Sequence, residues 1–107
     1  MIQVKYNRFY NKLTVNGHAG AGKKGEDLVC SAASILVHTL SANVGNMADA
    51  GIACNVVSDI QDGFATVSCR AIRGSERIVA NTFQSVCVGF EILSSKFPEY
   101  ISFKICG

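Results

Sequence analysis

Five cysteines and two histidines are the side chains of this 107-residue chain best suited to nucleophilic or proton-transfer chemistry. Among them, Cys30 and His18 are set apart by their surroundings. Cys30 follows Glu26 and Asp27 at the opening of an apolar-periodic segment, which predicts a place in the first turn of a helix. Unpaired backbone N–H groups and the helix dipole there favour an anion such as a thiolate. His18 stands at the predicted end of the preceding strand, and the stretch between the two lets the chain fold back, so that the imidazole can take the thiol proton. Such a pair is an activated nucleophile for attack on a carbonyl, with helix-start N–H groups available to an oxyanion. A plainer reading stands beside it: a cysteine on a helix is commonly a packing residue, and a lone histidine commonly sits at the surface or hydrogen-bonded in a core. His38 is the other candidate base, but eight residues along one helix span about 12 Å, against the roughly 3 Å that proton transfer requires.

The segment between the pair, Ala19 to Gly25, holds three glycines and two lysines in seven residues and predicts a mobile loop. Gly20-Ala21-Gly22-Lys23-Lys24-Gly25 fits G-x-G-x-x-G, and Gly17 through Lys24 nearly fits G-x-x-x-x-G-K-[ST], so nucleotide binding has to be weighed. The second motif needs a magnesium-binding hydroxyl where this chain has Lys24. Both motifs also belong to parallel β-α-β units, which the predicted antiparallel pairs do not supply. For the thiol, the dipole and Lys23 or Lys24 favour ionisation while Glu26 and Asp27 oppose it.

The elements that must position these residues follow from hydrophobic period. Ile2, Val4 and Tyr6 alternate with polar residues, and Leu13 to Val15 follow a polar turn, giving a strand pair that ends near Gly17. From Glu26, the residues Val29, Ala33, Leu36, Leu40 and Val44 form a helical stripe, with a break framed by Gly45 and Gly51. Ile52 to Ile60 and Phe64 to Ile72 read as strands joined at Asp62-Gly63, a two-residue hairpin signal. Val79, Phe83, Val86, Phe90, Leu93 and Phe97 describe a second amphipathic helix ending before Pro98, and Ile101, Phe103 and Ile105 a last strand. The order ββαββαβ predicts an α+β fold, two antiparallel strand pairs and a final strand in one sheet with two helices packed on it, as a single domain over residues 1–107.

Composition removes several classes. Hydrophobic residues at 49% and charged ones at 17% exclude a disordered chain. No basic patch precedes an apolar run near Met1, and no uninterrupted apolar stretch approaches the roughly 20 residues of a membrane span, so neither export nor membrane association is expected. An odd number of unevenly spaced cysteines, with no C-x-x-C pair, predicts reduced thiols and no metal; Cys54, Cys69, Cys87 and Cys106 are expected to be buried structural residues. A net charge of +2 from basic residues scattered along the sequence argues against direct nucleic-acid binding.

Gly17-His18-Ala19-Gly20, followed by Gly25-Glu26-Asp27-Leu28-Val29-Cys30-Ser31-Ala32-Ala33-Ser34, resembles the signature of the ribosomal-processing cysteine proteases, the Prp family. Lys96-Phe97-Pro98-Glu99-Tyr100 looks like that family's exit from its second helix, and the resemblance spans essentially the whole chain. It implies a cytoplasmic endopeptidase that needs no cofactor and removes a short N-terminal extension from a bacterial large-subunit ribosomal protein precursor. His18 and Cys30 match the catalytic pair. Asp27 would orient the histidine or shape the loop, Ser34 would support the thiol by hydrogen bonding, and Gly20, Gly22 and Gly25 would let the loop close over bound peptide. Ser31 stands where the family usually carries alanine, and a homodimer is implied as well. Two competing readings are a noncatalytic ribosome-associated binding module, in which Cys30 merely packs, and a nucleotide-binding regulator using the glycine loop.

Overall fold

A computed structural model describes residues 1–19 and 24–107, with nothing given for the side chains of residues 24–27. The elements are β1 (Ile2–Asn7), β2 (Lys12–Asn16), α1 (Lys24–Asp49), β3 (Ala53–Gln61), β4 (Phe64–Ala71), α2 (Glu76–Lys96) and β5 (Ile101–Cys106). They form the expected α+β fold. One five-stranded sheet runs in the order β3-β4-β2-β1-β5, antiparallel throughout except for the parallel β1–β5 pair.

The period-two strands explain the layering. Ile2, Val4 and Tyr6 of β1, Leu13 of β2, Ala65, Val67 and Cys69 of β4 and Ile101 of β5 are buried in one core with the apolar stripes of the helices. Val29, Ala33, Val37, Leu40 and Val44 supply the stripe of α1, and Val79, Phe83, Val86 and Phe90 that of α2. Tyr6 stacks on Phe83 with ring centroids 5.7 Å apart, tying the C-terminal end of β1 to α2. The helices meet where α2 has Gly89: a Cβ there would lie 2.6 Å from a Leu36 methyl, so a larger residue would require Leu36 to move. The other sheet face carries mostly polar side chains, and among the described residues no helix covers it.

Three local readings change. α1 starts at Lys24 rather than Glu26, and it runs through Gly45 to Asp49, because tertiary burial of Val44 and Met47 outweighs the cost of one interior glycine. Leu28–Asp49 proves long and apolar enough in composition to match a membrane span, where no such stretch was expected; its stripe instead packs in the core. All five thiols are free and Cys69 and Cys87 are buried, but Cys54 and Cys106 are only half-buried, since their positions in β3 and β5 face the uncovered side of the sheet.

Candidate active site

Sheet order delivers His18. β2 is central, and its register with β4 pairs Asn16 with Phe64, so the chain leaving β2 passes directly beside the Asp62-Gly63 turn. The Gly17 N–H donates to the Gly63 carbonyl at 2.9 Å, fixing that approach. Gly17 itself adopts φ +99°, and a Cβ there would stand in contact with the Met1 carbonyl oxygen, so no larger residue fits just before the histidine. Gly63, at φ +77°, has the same requirement for a second reason: its missing Cβ would lie 2.5 Å from His18 Nε2. The imidazole therefore rests over the bare Cα of the turn.

Asp62 presents its carboxylate to the other ring nitrogen, 3.9 Å from His18 Nδ1, with the histidine side chain 61% exposed. That separation is too long for a hydrogen bond, so the carboxylate can act on the ring only through its screened field, from the Nδ1 side, which leaves Nε2 facing away from it. Sequence reading took Asp62-Gly63 only as a turn; the register of β2 on β4, rather than any local motif, brings it to the histidine.

Cys30 enters from α1. His18, Cys30, Ser34, His38, Asp62 and Gly63 line one cavity of about 480 Å³ between the N-terminal half of α1 and the ends of β2, β3 and β4. Thus the two residues expected to work together do share one wall-to-wall space, although they belong to different elements. Cys30 is half-buried and contacts the core from its edge. Because α1 begins at Lys24, Cys30 lies in the second helical turn, not the first. Its own N–H is consumed by the helical ladder, and the free N–H groups belong to the turn before it. Those helix-start donors lie a turn before the thiol, which moves the expected oxyanion site away from Cys30's own amide.

His38 was set aside on distance alone, yet it lines the same cavity as Cys30 one face up α1, and a shallower one of about 450 Å³ shared with Cys30, Ser31, Ser34 and Ile35. Its Nδ1 lies 3.0 Å from the Ser34 carbonyl, which can only accept, so Nδ1 carries the proton and Nε2 is left free. Among the described residues no hydrogen bond joins the Ser34 hydroxyl to Cys30, so its expected support of the thiol is not made in this structure. Gly20 and Gly22 lie outside the described residues; Gly25 and Asp27 fall within α1, Gly25 as its second residue rather than in a loop, and the Asp27 side chain is outside what is described. Among the described residues no group of three or more potential metal ligands occurs.

The remaining thiols differ sharply in chemistry. Burial, with a smaller contribution from the Glu91 charge, pushes the Cys87 thiol up to about 12, and burial also raises Cys69 above the ordinary thiol range. Neither is a nucleophile at neutral pH.

Comparison with known proteins bears on the whole chain. The family model described as cysteine protease Prp matches residues 1–102. The crystal structure of SMU.848 from Streptococcus mutans is similar at 25% identity and a TM-score of 0.69, covering 98% of this chain and 93% of that one. The ribosomal processing protease Prp from S. aureus, solved with a covalently linked product peptide, superposes with a TM-score of 0.74 at 19% identity over 99% of this chain and 100% of that one. The same S. aureus protein with a substrate peptide gives a TM-score of 0.73 at 18% identity, with the same coverage. No curated protein matches the chain.

Proposed function

This chain belongs to the Prp family of cysteine proteases, and we propose on that premise that it is an endopeptidase removing a short N-terminal extension from a large-subunit ribosomal protein precursor, with Cys30 as nucleophile and His18 as general base. The observation that carries the residue assignment is the common cavity: a thiol on α1 and an imidazole after β2 line one space large enough for a peptide segment. The S. aureus relative, which is described as a ribosomal processing protease and was solved with peptides bound, supports the substrate class.

In this reading His18 Nε2 takes the Cys30 proton as Sγ attacks the scissile carbonyl carbon, giving a tetrahedral oxyanion. The imidazolium returns the proton to the leaving amine nitrogen as the C–N bond breaks. Water, deprotonated by the same imidazole, then splits the thioester, releasing the carboxylate product and restoring the thiol. Asp62 faces the Nδ1 side of the ring throughout, as a long-range and solvent-screened partner. His38, with its free Nε2 in the same cavity, is placed to contact the peptide rather than to move the first proton.

The working form is a cytoplasmic homodimer without cofactor. Leu28, Ile35, Val88 and Ile92, each more than half exposed, flank the Leu36–Gly89 crossing and give the helix layer an apolar outer surface that a second copy would cover. Sedimentation equilibrium tests this, and a monomer at micromolar concentration would refute it.

Mass spectrometry of the precursor after incubation with wild type, Cys30→Ala and His18→Ala tests the catalytic reading. Cleavage at one bond by wild type alone is expected. Cleavage by the folded Cys30→Ala variant would refute the assignment, and cleavage by none would transfer the reading to a noncatalytic binding module.

A further inference from the structure

The sheet face turned away from both helices meets the site only at its Gln61–Phe64 corner, and it holds the chain's excess of positive charge. Alternation along each strand puts Lys5, Lys12, Arg70 and Lys104 on this face, with Asp59 as its one carboxylate. That is +3 on one face of a chain whose net charge is +2, leaving −1 for all other residues together. Scattered in sequence, these cations are gathered by the fold. None of the four is ion-paired among the described residues.

Their placement is not explained by the needs of the sheet. Lys5 and Lys104 are direct partners in the β1–β5 register, a pairing that like charges disfavour. Lys104 on edge strand β5 has an ordinary use, since lysines on edges deter pairing with other chains. Lys5 on β1 and Lys12 on β2 lie on interior strands, where no edge needs guarding. Lys5 also lies beside a hydroxyl, because it pairs with the half-buried Thr14.

Protein-docking surfaces centre on aromatic and methionine side chains and are depleted in lysine, whereas phosphate and sugar are contacted by lysine and arginine together with small hydroxyl and amide side chains. The middle of this face has the second composition; Phe64 and Val57 lie only at its β3–β4 margin. We propose that the open sheet face binds RNA through the sugar-phosphate backbone, without base preference, beside and independent of the peptidase site. Thr14, half-buried beside Lys5, offers a hydroxyl suited to a 2′-hydroxyl, which DNA lacks, whereas the Thr66 hydroxyl is buried. The choice of RNA rests in part on the proposed ribosomal substrate.

Fluorescence anisotropy of the full chain with a labelled 20-nucleotide mixed-sequence RNA tests this, compared with DNA of the same sequence and with polyglutamate as competitor. Four cations on phosphates predict a log–log salt slope of about −2.8, falling to about −1.4 in Lys5→Gln/Lys104→Gln with roughly tenfold weaker binding. Arg73→Gln/Arg77→Gln, exposed on the helix side, makes the same change in net charge and is expected to alter affinity less than about twofold. No binding at low salt, equal loss in both double variants, preference for DNA, or stronger competition by polyglutamate than by unlabelled RNA would each overturn the proposal. Cleavage of a short free peptide, followed in the same variants, is expected to be unchanged, so failure of RNA binding and failure of the peptidase reading are separately visible.

Discussion

Gly63→Ala isolates what the β3–β4 turn does for the histidine. Two costs follow from the structure and they can be separated. The first is backbone strain: an alanine at φ +77° pays about 1 kcal/mol for the left-handed region, a fall in Tm of roughly 4–8 °C for a domain of this size. The second is local, because the new Cβ would stand 2.5 Å from His18 Nε2, where ordinary contact needs at least 3.4 Å, so the ring must retreat by about 0.9 Å. A displacement near 1 Å in a reacting group costs on the order of 10²-fold in rate, about 2.7 kcal/mol of barrier. Gly51→Ala is the matched control, with φ +74° and nothing within 4 Å of its added Cβ. The expected pattern is a similar drop in Tm for both variants, measured by calorimetry, and a large loss of kcat/KM on a fluorogenic peptide spanning the extension junction for Gly63→Ala only. Equal activity in the two variants would refute the idea that the turn sets the position of the imidazole.

Asp62→Asn is expected to lower kcat/KM by only about threefold at low salt, and less at high salt, since the carboxylate is fully exposed and screened; a salt-independent loss would contradict a role through charge. Gly89→Ala drives a Cβ against Leu36 and is expected to destabilise by about 1–2 kcal/mol in urea unfolding, with recovery on adding Leu36→Ala. Gly45→Ala, inside α1 with nothing within 4 Å of the added methyl, is expected to stabilise by about 0.5–1 kcal/mol, and a loss of stability would refute the helical reading of that position. Cys87 keeps its proton in the fold up to about 12 but ionises when unfolded from about 9, so its contribution is intact below the unfolded value and is lost as pH rises. Between pH 8 and 10 it is expected to remove roughly 1.4 kcal/mol of stability by linkage, a slope that Cys87→Ala should lack when unfolding is followed by circular dichroism.

Element types were legible where an element buries one face, so period reports it: Ile2, Val4, Tyr6 at two, and Val79, Phe83, Val86, Phe90 at three and four, whereas the mostly exposed β3 was read from the Asp62-Gly63 hairpin signal. The ends of α1 were not, since Gly45 is a poor helix former by itself and only packing of Val44 and Met47 decides that the helix continues. For the site, Cys30 and His18 could be singled out from type and spacing, because a thiol near a helix start and a histidine at a strand end are local facts. Asp62 and Gly63 could not. Their approach to the pair depends on β2 lying between β1 and β4, and strand order is a long-range property that no window of the sequence contains. The gathering of basic residues on one face was not legible for the same reason: Lys5 and Lys104 are 99 positions apart in the chain and direct partners in the sheet.

The central place of β2 also accounts for how two different surfaces coexist on so small a domain. Its C-terminal end, just past Asn16, delivers His18 over the Asp62-Gly63 turn, so the reacting groups collect at one end of the sheet on the helix side. Its outward residues, Lys12 and Thr14, lie in the middle of the uncovered face and join Lys5 to Thr66 across three strands. A strand's alternate side chains point to opposite faces, so neither role constrains the other. Leu13 between them is fully buried and ties both to the same core. Substituting Leu13 should therefore damage both activities through stability, whereas Lys12→Gln should touch only RNA affinity and His18→Ala only cleavage. A Lys12→Gln variant with unchanged Tm and impaired cleavage of a short peptide would show that the two faces are coupled, and that the peptide path extends around the sheet edge.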